Sequence, residues 1–305
     1  MKIYKVLILV SIVFFTCSSV KAQQDPQYTQ YMFNTLSINP AYAGSRGHFS
    51  MSALARTQWV GIEGAPDTQS FSLHAPIGFS GVGLGFSIIN DKLGPSVETH
   101  FDSNVSYTIR TSEEGQLALG LRLGGRTLNL DWSKGRFQNP DAIFNNNVNN
   151  KFLPTLGAGI YFHMPDWYVG LSVPNFLRTT HYNDFLESVA AEKLHYFFIA
   201  GYVFDVTENL KFKPAILSKI VAGAPLSLDI SANFLFNDKF NLGVAYRWDD
   251  SISAILGFQI SETLTLGYAY DLTTSNYNNY NAGSHEVMLT FNVLEQKRLK
   301  CPRFF

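Results

Sequence analysis

Residues 97–110 read VETHFDSNVSYTIR, a stretch in which apolar and polar side chains alternate. One set of positions carries Val97, Thr99, Phe101, Val105, Tyr107 and Ile109, and the other carries Glu98, His100, Asp102, Asn104, Thr108 and Arg110. Successive side chains of a β-strand point to opposite faces of the sheet. The stretch therefore predicts a strand with one apolar and one polar face.

The same period of two recurs along the chain from about residue 47, and no helical period of comparable length accompanies it. Only 181–193 has the spacing of a short helix, inside a loop. We predict an all-β chain of about 14 antiparallel strands, at 47–59, 68–75, 81–90, 97–110, 116–128, 154–163, 167–174, 194–206, 209–221, 226–236, 240–248, 251–260, 263–272 and 284–294.

Short turns and long polar loops separate these strands in a regular order. The long loops are 129–153, 175–193 and 273–283, and each follows an odd-numbered strand. Short turns on one rim and long loops on the other are typical of an outer-membrane antiparallel β-barrel with both termini periplasmic. The pattern predicts localisation in the outer membrane, with lipid around the wall.

A soluble β-sandwich or propeller would also alternate, so the composition of the polar face decides between them. That face is rich in Gly, Ser, Asn and Ala, and charged residues are 15% of the chain against roughly 25% in soluble domains. Small polar side chains suit a crowded lumen. The apolar face also ends in aromatic pairs such as Tyr246 and Trp248, as an interfacial girdle does. The composition favours the membrane barrel.

The first 22 residues have the features of a signal peptide. Lys2 and Lys5 precede an apolar run over 6–15, and small residues stand at Val20 and Ala22. An uncleaved anchor is disfavoured because ten apolar residues are too few to span a bilayer, which takes about 20. We expect four parts: a signal peptide (1–22), an N-terminal periplasmic or lumenal segment (23–46), the barrel (47–294) and a periplasmic tail (295–305).

Composition and motifs exclude several functions. The formal net charge is -1, so no electrostatic basis for nucleic-acid binding exists. The sequence contains no H-E-x-x-H, no G-x-S-x-G and no cysteine cluster. His285 and Glu286 are neighbours on a strand and point to opposite faces. We expect no catalytic residue, no cofactor, no metal and no small-molecule substrate. A barrel hydrolase with serine and histidine on one face is the disfavoured alternative.

Two groups of residues are candidates for a functional role. In 23–46 the aromatic residues Tyr28, Tyr31, Phe33 and Tyr42 indicate a plug-like lumenal segment or a docking strip for a partner, against simple packing on the lower rim. In the tail, Cys301 and Arg303 are candidates for the same contacts, with Cys301 a packed thiol. On the polar face we expect a paired network that holds wall and plug, in preference to a transport selectivity filter. Its residues are Asp102, Arg110, Arg122, Asp229, Arg247, Asp271 and Glu286.

Sequence motifs extend over essentially the whole mature chain. They are QDPQYTQYMFN at 24–34, NPAYAG at 39–44, RTQWVG at 56–61, GAP at 64–66, NDKLGP at 90–95, GAPLSLD at 223–229, GYAYD at 267–271, GSHE at 283–286 and CPRFF at 301–305. In this order they resemble the PorP/SprF family of type IX secretion system membrane proteins of Bacteroidetes. The loop 129–153 is where the resemblance is loosest.

The resemblance implies a non-enzymatic outer-membrane component of the type IX secretion and gliding machinery. Such a protein associates with periplasmic ring components, or supports export and surface attachment of adhesins. The alternative is a passive outer-membrane porin or hydrophobe channel. Simple diffusion gives no reason for a 24-residue aromatic extension before the first strand, so the first interpretation is favoured.

Overall fold

The computed structural model describes residues 27–78, 81–135, 147–177 and 193–293. Its strands are β1 Phe49–Thr57, β2 Asp67–Ile77, β3 Val82–Leu93, β4 Ser96–Arg110, β5 Gln116–Leu130, β6 Val148–His163, β7 Trp167–Val173, β8 His195–Tyr202, β9 Phe204–Thr207, β10 Leu210–Val221, β11 Ser227–Phe236, β12 Phe240–Arg247, β13 Ser251–Gln259, β14 Leu264–Thr273 and β15 Ser284–Val293.

Neighbouring strands pair antiparallel around a closed ring. β15 pairs with β1 through nine residue pairs, and β10 pairs with both β8 and β11. β9 continues β8 past Val203 and pairs with β10, so the two are one wall strand with an interruption. The predicted closed antiparallel barrel of fourteen strands is confirmed. Closure satisfies the backbone groups of every wall strand, which lipid cannot do.

Burial along the wall is the reverse of that in a soluble sheet. On β5, Leu121 and Leu123 are 60% and 62% exposed, whereas Arg122 between them is 4% exposed. Each outward apolar side chain gains about 1.5–3 kcal/mol when it leaves water for an apolar medium. The exposed apolar band has the character of the outer face of a membrane barrel. The polar set predicted on β4 faces the lumen, where Asp102, Asn104 and Ser106 are buried.

The connections separate two rims. At the short-turn rim lie the strand ends that the sequence joins by 78–81, 111–115, 164–166, 208–209, 237–239 and 260–263. At the long-loop rim lie the strand ends that the sequence joins by 58–66, 94–95, 131–147, 174–194, 222–226, 248–250 and 274–283. Since β1 begins and β15 ends at the short-turn rim, both ends of the barrel wall lie on that side.

Two local predictions differ from the structure. β6 begins at Val148 and not at 154, because the polar stretch before 154 pairs with the end of β5 through a bulge between Leu128 and Leu130. Within the described ranges, four 3-10 helices are too short for a periodic signal; they are Thr35–Ser37, Pro40–Tyr42, Trp132–Lys134 and Asn276–Asn279. The helix expected at 181–193 lies, but for Lys193, outside the described residues. No helix in the described part of the chain is long and apolar enough to cross a membrane.

Candidate functional site in the barrel lumen

Residues 27–46, here called the lumenal segment, lie against the inward face of the wall. At Gly83 an added Cβ would overlap the carbonyl oxygen of Ala43, and at Gly120 it would overlap the backbone of Ala41. Only glycine lets two backbones approach this closely. The glycines predicted on the polar face therefore make room for the segment.

Near the long-loop rim an ionic cluster, here called the Arg56 clasp, holds the segment to the wall. The Arg56 guanidinium lies 2.7 Å from an Asp271 oxygen and 3.0 Å from a Glu286 oxygen. The two Glu286 oxygens accept the backbone N–H groups of Thr29 at 2.9 Å and Gln30 at 2.8 Å. The Thr29 hydroxyl donates to Asp271 and accepts from Arg56.

The clasp is buried, with Glu286 fully shielded from solvent and Arg56 and Asp271 nearly so. Removing charges from water costs several kcal/mol per ion unless they are paired and hydrogen-bonded. Here two carboxylates share one guanidinium, and segment backbone donors satisfy the remaining oxygens of Glu286. The wall charges are therefore arranged to hold residues 29–30.

A second ion pair lies at the same end of the lumen. Arg247 Nε is 2.9 Å from an Asp229 oxygen, and Arg247 also lies 3.1 Å from Asp250. The amide of Gln27 donates to the other Asp229 oxygen at 2.6 Å and to the Ser227 hydroxyl at 3.0 Å. The first described residue of the segment is therefore bonded to the beginning of β11.

A third group joins the middle of the segment to β4 and β5. Arg122 lies 3.8 Å from Asp102 and donates to the side-chain oxygen of Asn104 at 3.0 Å. Its Nη2 also donates to the backbone carbonyls of Leu36 at 2.8 Å and Ser37 at 3.0 Å. Arg122 thus supplies donors to carbonyls that a 3-10 turn leaves unpaired.

Six of the seven wall charges chosen from the sequence lie in these three groups. Arg110 does not: it is the last residue of β4, exposed beside the turn 111–115 at the other rim. Sequence analysis missed Arg56, the centre of the clasp, although it lies in the quoted motif 56–61. Its position in the alternation of β1 could have identified it, because Ser50, Ser52 and Arg56 share the lumenal face.

The aromatic side chains of the segment pack into the lumen. Tyr28, Tyr31 and Tyr42 are buried, and Phe33 is half-buried. The Tyr42 ring meets those of His74 and Tyr161 edge-on, with centroids 5.4 Å apart in each case. In this arrangement the tyrosine rings pack against side chains of the wall. Cys301 and Arg303 lie outside the described residues.

A small cavity of about 60 Å³ remains between the segment and the wall. Its lining includes Tyr28, His100, Asp102, Arg122 and Arg126. The volume suffices for a few water molecules. Within the described ranges, no three His, Cys, Asp or Glu side chains are grouped so that they would hold a metal ion.

The closed barrel, apolar outside and polar inside, defines a protein of the outer-membrane β-barrel class. Among solved structures it is similar to the toluene transporter TbuX of Ralstonia pickettii, with TM-score 0.51 and 10% identity over 85% of this chain and 93% of that one. It is also similar to the outer membrane protein Omp33 of Acinetobacter baumannii, with TM-score 0.49 and 7% identity over 81% of this chain and 98% of that one.

The family model described as type IX secretion system membrane protein PorP/SprF matches residues 20–291. The chain therefore belongs to the PorP/SprF family. No curated protein matches it. The resemblance read from the motifs is confirmed, and the protein is a membrane component of the type IX secretion system with an outer-membrane barrel fold.

Proposed function

We propose that this protein is a plugged, non-enzymatic outer-membrane partner of the type IX secretion conduit, supporting export or surface attachment of cargo such as adhesins. One observation supports the proposal: residues 27–46 lie along the inward face of the wall and bond to Asp229, Glu286 and Arg122 on different wall strands. The paired charges act as a network that holds wall and plug together, and they do not act as a selectivity filter.

The size of the barrel supports a role beside the conduit. Barrels with about 16–18 strands leave an aqueous channel, and a barrel with fewer strands has a smaller diameter. A lumen of fourteen strands that also contains the lumenal segment is too narrow for a folded adhesin. Cargo therefore crosses through another component, and this protein acts on the cargo or on that component.

The short-turn rim is the proposed periplasmic side, because outer-membrane barrels carry short turns there. This rim would face the periplasmic ring components of the machinery. The tail 295–305, with Cys301 packed and Arg303 in a cluster of basic residues, would follow β15 on the same side and dock on a partner or on the barrel. Both the ring partner and the tail contact are predicted from the role of the family.

The test is a deletion strain assayed for two properties at once. We expect export or surface display of at least one type IX cargo protein to be lost, with uptake of small solutes unchanged, and plasmid-borne wild type to restore it. The control is the deletion strain carrying the Arg110→Gln variant. Arg110 lies on the wall but outside the three ion-pair groups, so this variant should complement fully.

The competing function is a passive porin or hydrophobe channel. A barrel of similar fold bears the name of a toluene transporter, and that likeness concerns the fold alone. Loss of solute uptake with intact secretion in the deletion strain would support this second function and overturn the first.

A further inference from the structure

The two ends of the lumenal segment bond to opposite rims of the barrel. At one end Gln27 bonds to Ser227 and Asp229, in the first three residues of β11, directly after the long-loop connection 222–226. At the other end Arg46 donates to the side chain of Asn292, the second-last residue of β15 at the short-turn rim.

The contacts between these ends follow one course down the lumen. After the Arg56 clasp, Asn34 bonds to Ser70 and Ser72 on β2. The carbonyl of Ile38 then accepts from Ser172 on β7, and that of Ala43 from Ser106 on β4. The segment therefore traverses the lumen once, from the long-loop rim to the short-turn rim, before β1 turns back along the wall.

Few residues precede this course in the mature chain. With cleavage after Ala22, four residues stand before Gln27, and their extended length is about 14 Å. The apolar band of an outer-membrane barrel is about 25 Å tall. Four residues are too short to return past the band.

We infer that the mature chain begins at the long-loop rim, on the side of the membrane opposite to the start of β1 and the end of β15. If the short-turn rim is periplasmic, the sequence-based prediction of a periplasmic amino terminus is then wrong. The inference rests on the course of residues 27–46 and on cleavage after Ala22, and it does not depend on a role in secretion.

This course sets the direction in which the lumen can be cleared. The segment is joined covalently to β1 at the short-turn rim and only by noncovalent contacts at the long-loop rim. Pulling its free end outward at the long-loop rim leaves the chain inside the lumen, because the tether is at the far end. A partner that opens the barrel must withdraw the segment past the short-turn rim and release the Arg56 clasp.

The experiment maps Gln27 against one reference position on each rim. In a Cys301→Ser background, single cysteines are placed by Gln27→Cys, by Tyr280→Cys at the long-loop rim and by Glu113→Cys at the short-turn rim. The two reference side chains are exposed. Each variant is treated with a membrane-impermeant maleimide on intact cells and again after the outer membrane is permeabilised.

We expect Gln27→Cys to be labelled under the same condition as Tyr280→Cys. In a second variant, an epitope tag with a protease site is inserted after Ala22, and we expect protease to cleave it under that same condition. Labelling or cleavage that follows Glu113→Cys would overturn the inference. Because Gln27 is half-buried, the tag decides the result if the cysteine is not labelled at all. The comparison holds whichever rim faces the cell surface.

Discussion

In the lumen, the charge and the size of single side chains determine how the wall holds the lumenal segment. Arg56 joins two wall carboxylates, and Glu286 accepts two backbone donors of the segment. Removing one member of a buried charge group leaves its partners unpaired, which costs about 3–5 kcal/mol. Loss of Arg56, which pairs with two carboxylates, is therefore expected to lower the free energy of unfolding the most.

Arg56→Gln should lower the midpoint of urea unfolding of the detergent-purified barrel, with a loss of about 3–5 kcal/mol from the unpaired Asp271 and Glu286. Tryptophan fluorescence follows the transition. The double variant Arg56→Gln with Glu286→Gln should recover part of the loss, because one stranded charge is removed. Arg110→Gln is the matched control and should leave the midpoint unchanged. An Arg56→Gln midpoint equal to that of the control would contradict the assigned pairing.

At the scale of elements, the wall and the lumenal segment fit by close backbone approach. The segment has no regular element longer than a 3-10 turn, so wall contacts hold its shape. Its apolar side chains, including Tyr31, Leu36 and Tyr42, form one cluster with wall residues such as Tyr161 and Tyr168. The segment and the wall therefore share this core, and Tyr28 of the segment packs in a smaller cluster with Leu54 and Met288 of the wall.

Gly120→Val should displace the segment while the barrel stays closed. A side chain at this position meets the backbone of Ala41, which cannot move aside without leaving the wall. Limited proteolysis should then cut within 27–46 at least several-fold faster than in wild type. Leu121→Val, one residue along on the lipid face, is the control and should keep wild-type protection. Equal protection of the segment in the two variants would show that the close approach is not required.

At the scale of the whole molecule, closure between β1 and β15 makes the wall one cooperative unit. Each of the described wall strands pairs on both sides in the ring. Each backbone group left unpaired in lipid would cost several kcal/mol. The ring should therefore resist detergent until it is heated.

Unboiled protein should migrate differently from boiled protein on a detergent gel, and sodium carbonate should leave it in the membrane pellet. A boiled sample of the same preparation is the internal control. Release into the supernatant by carbonate would refute the membrane barrel, whatever the gel shows.

The strand number, most strand positions and the assignment of faces were readable from the sequence. They depend on a period of two, which is local: Leu121 and Arg122 differ in face because they are adjacent on one strand. The family was readable for a similar reason, since its motifs are short and contiguous. The long start of β6 was missed because a polar stretch resembles a loop until its partner strand is known.

Only the tertiary structure decided which charges meet. Arg56 and Glu286 are 230 positions apart in the chain and become neighbours when β15 closes on β1. The path of residues 27–46 was equally out of reach, because it has no period and its bonds go to side chains on many strands. Local pattern determines which way a side chain points, whereas ring closure and lumen filling depend on long-range contacts that no single stretch of sequence contains.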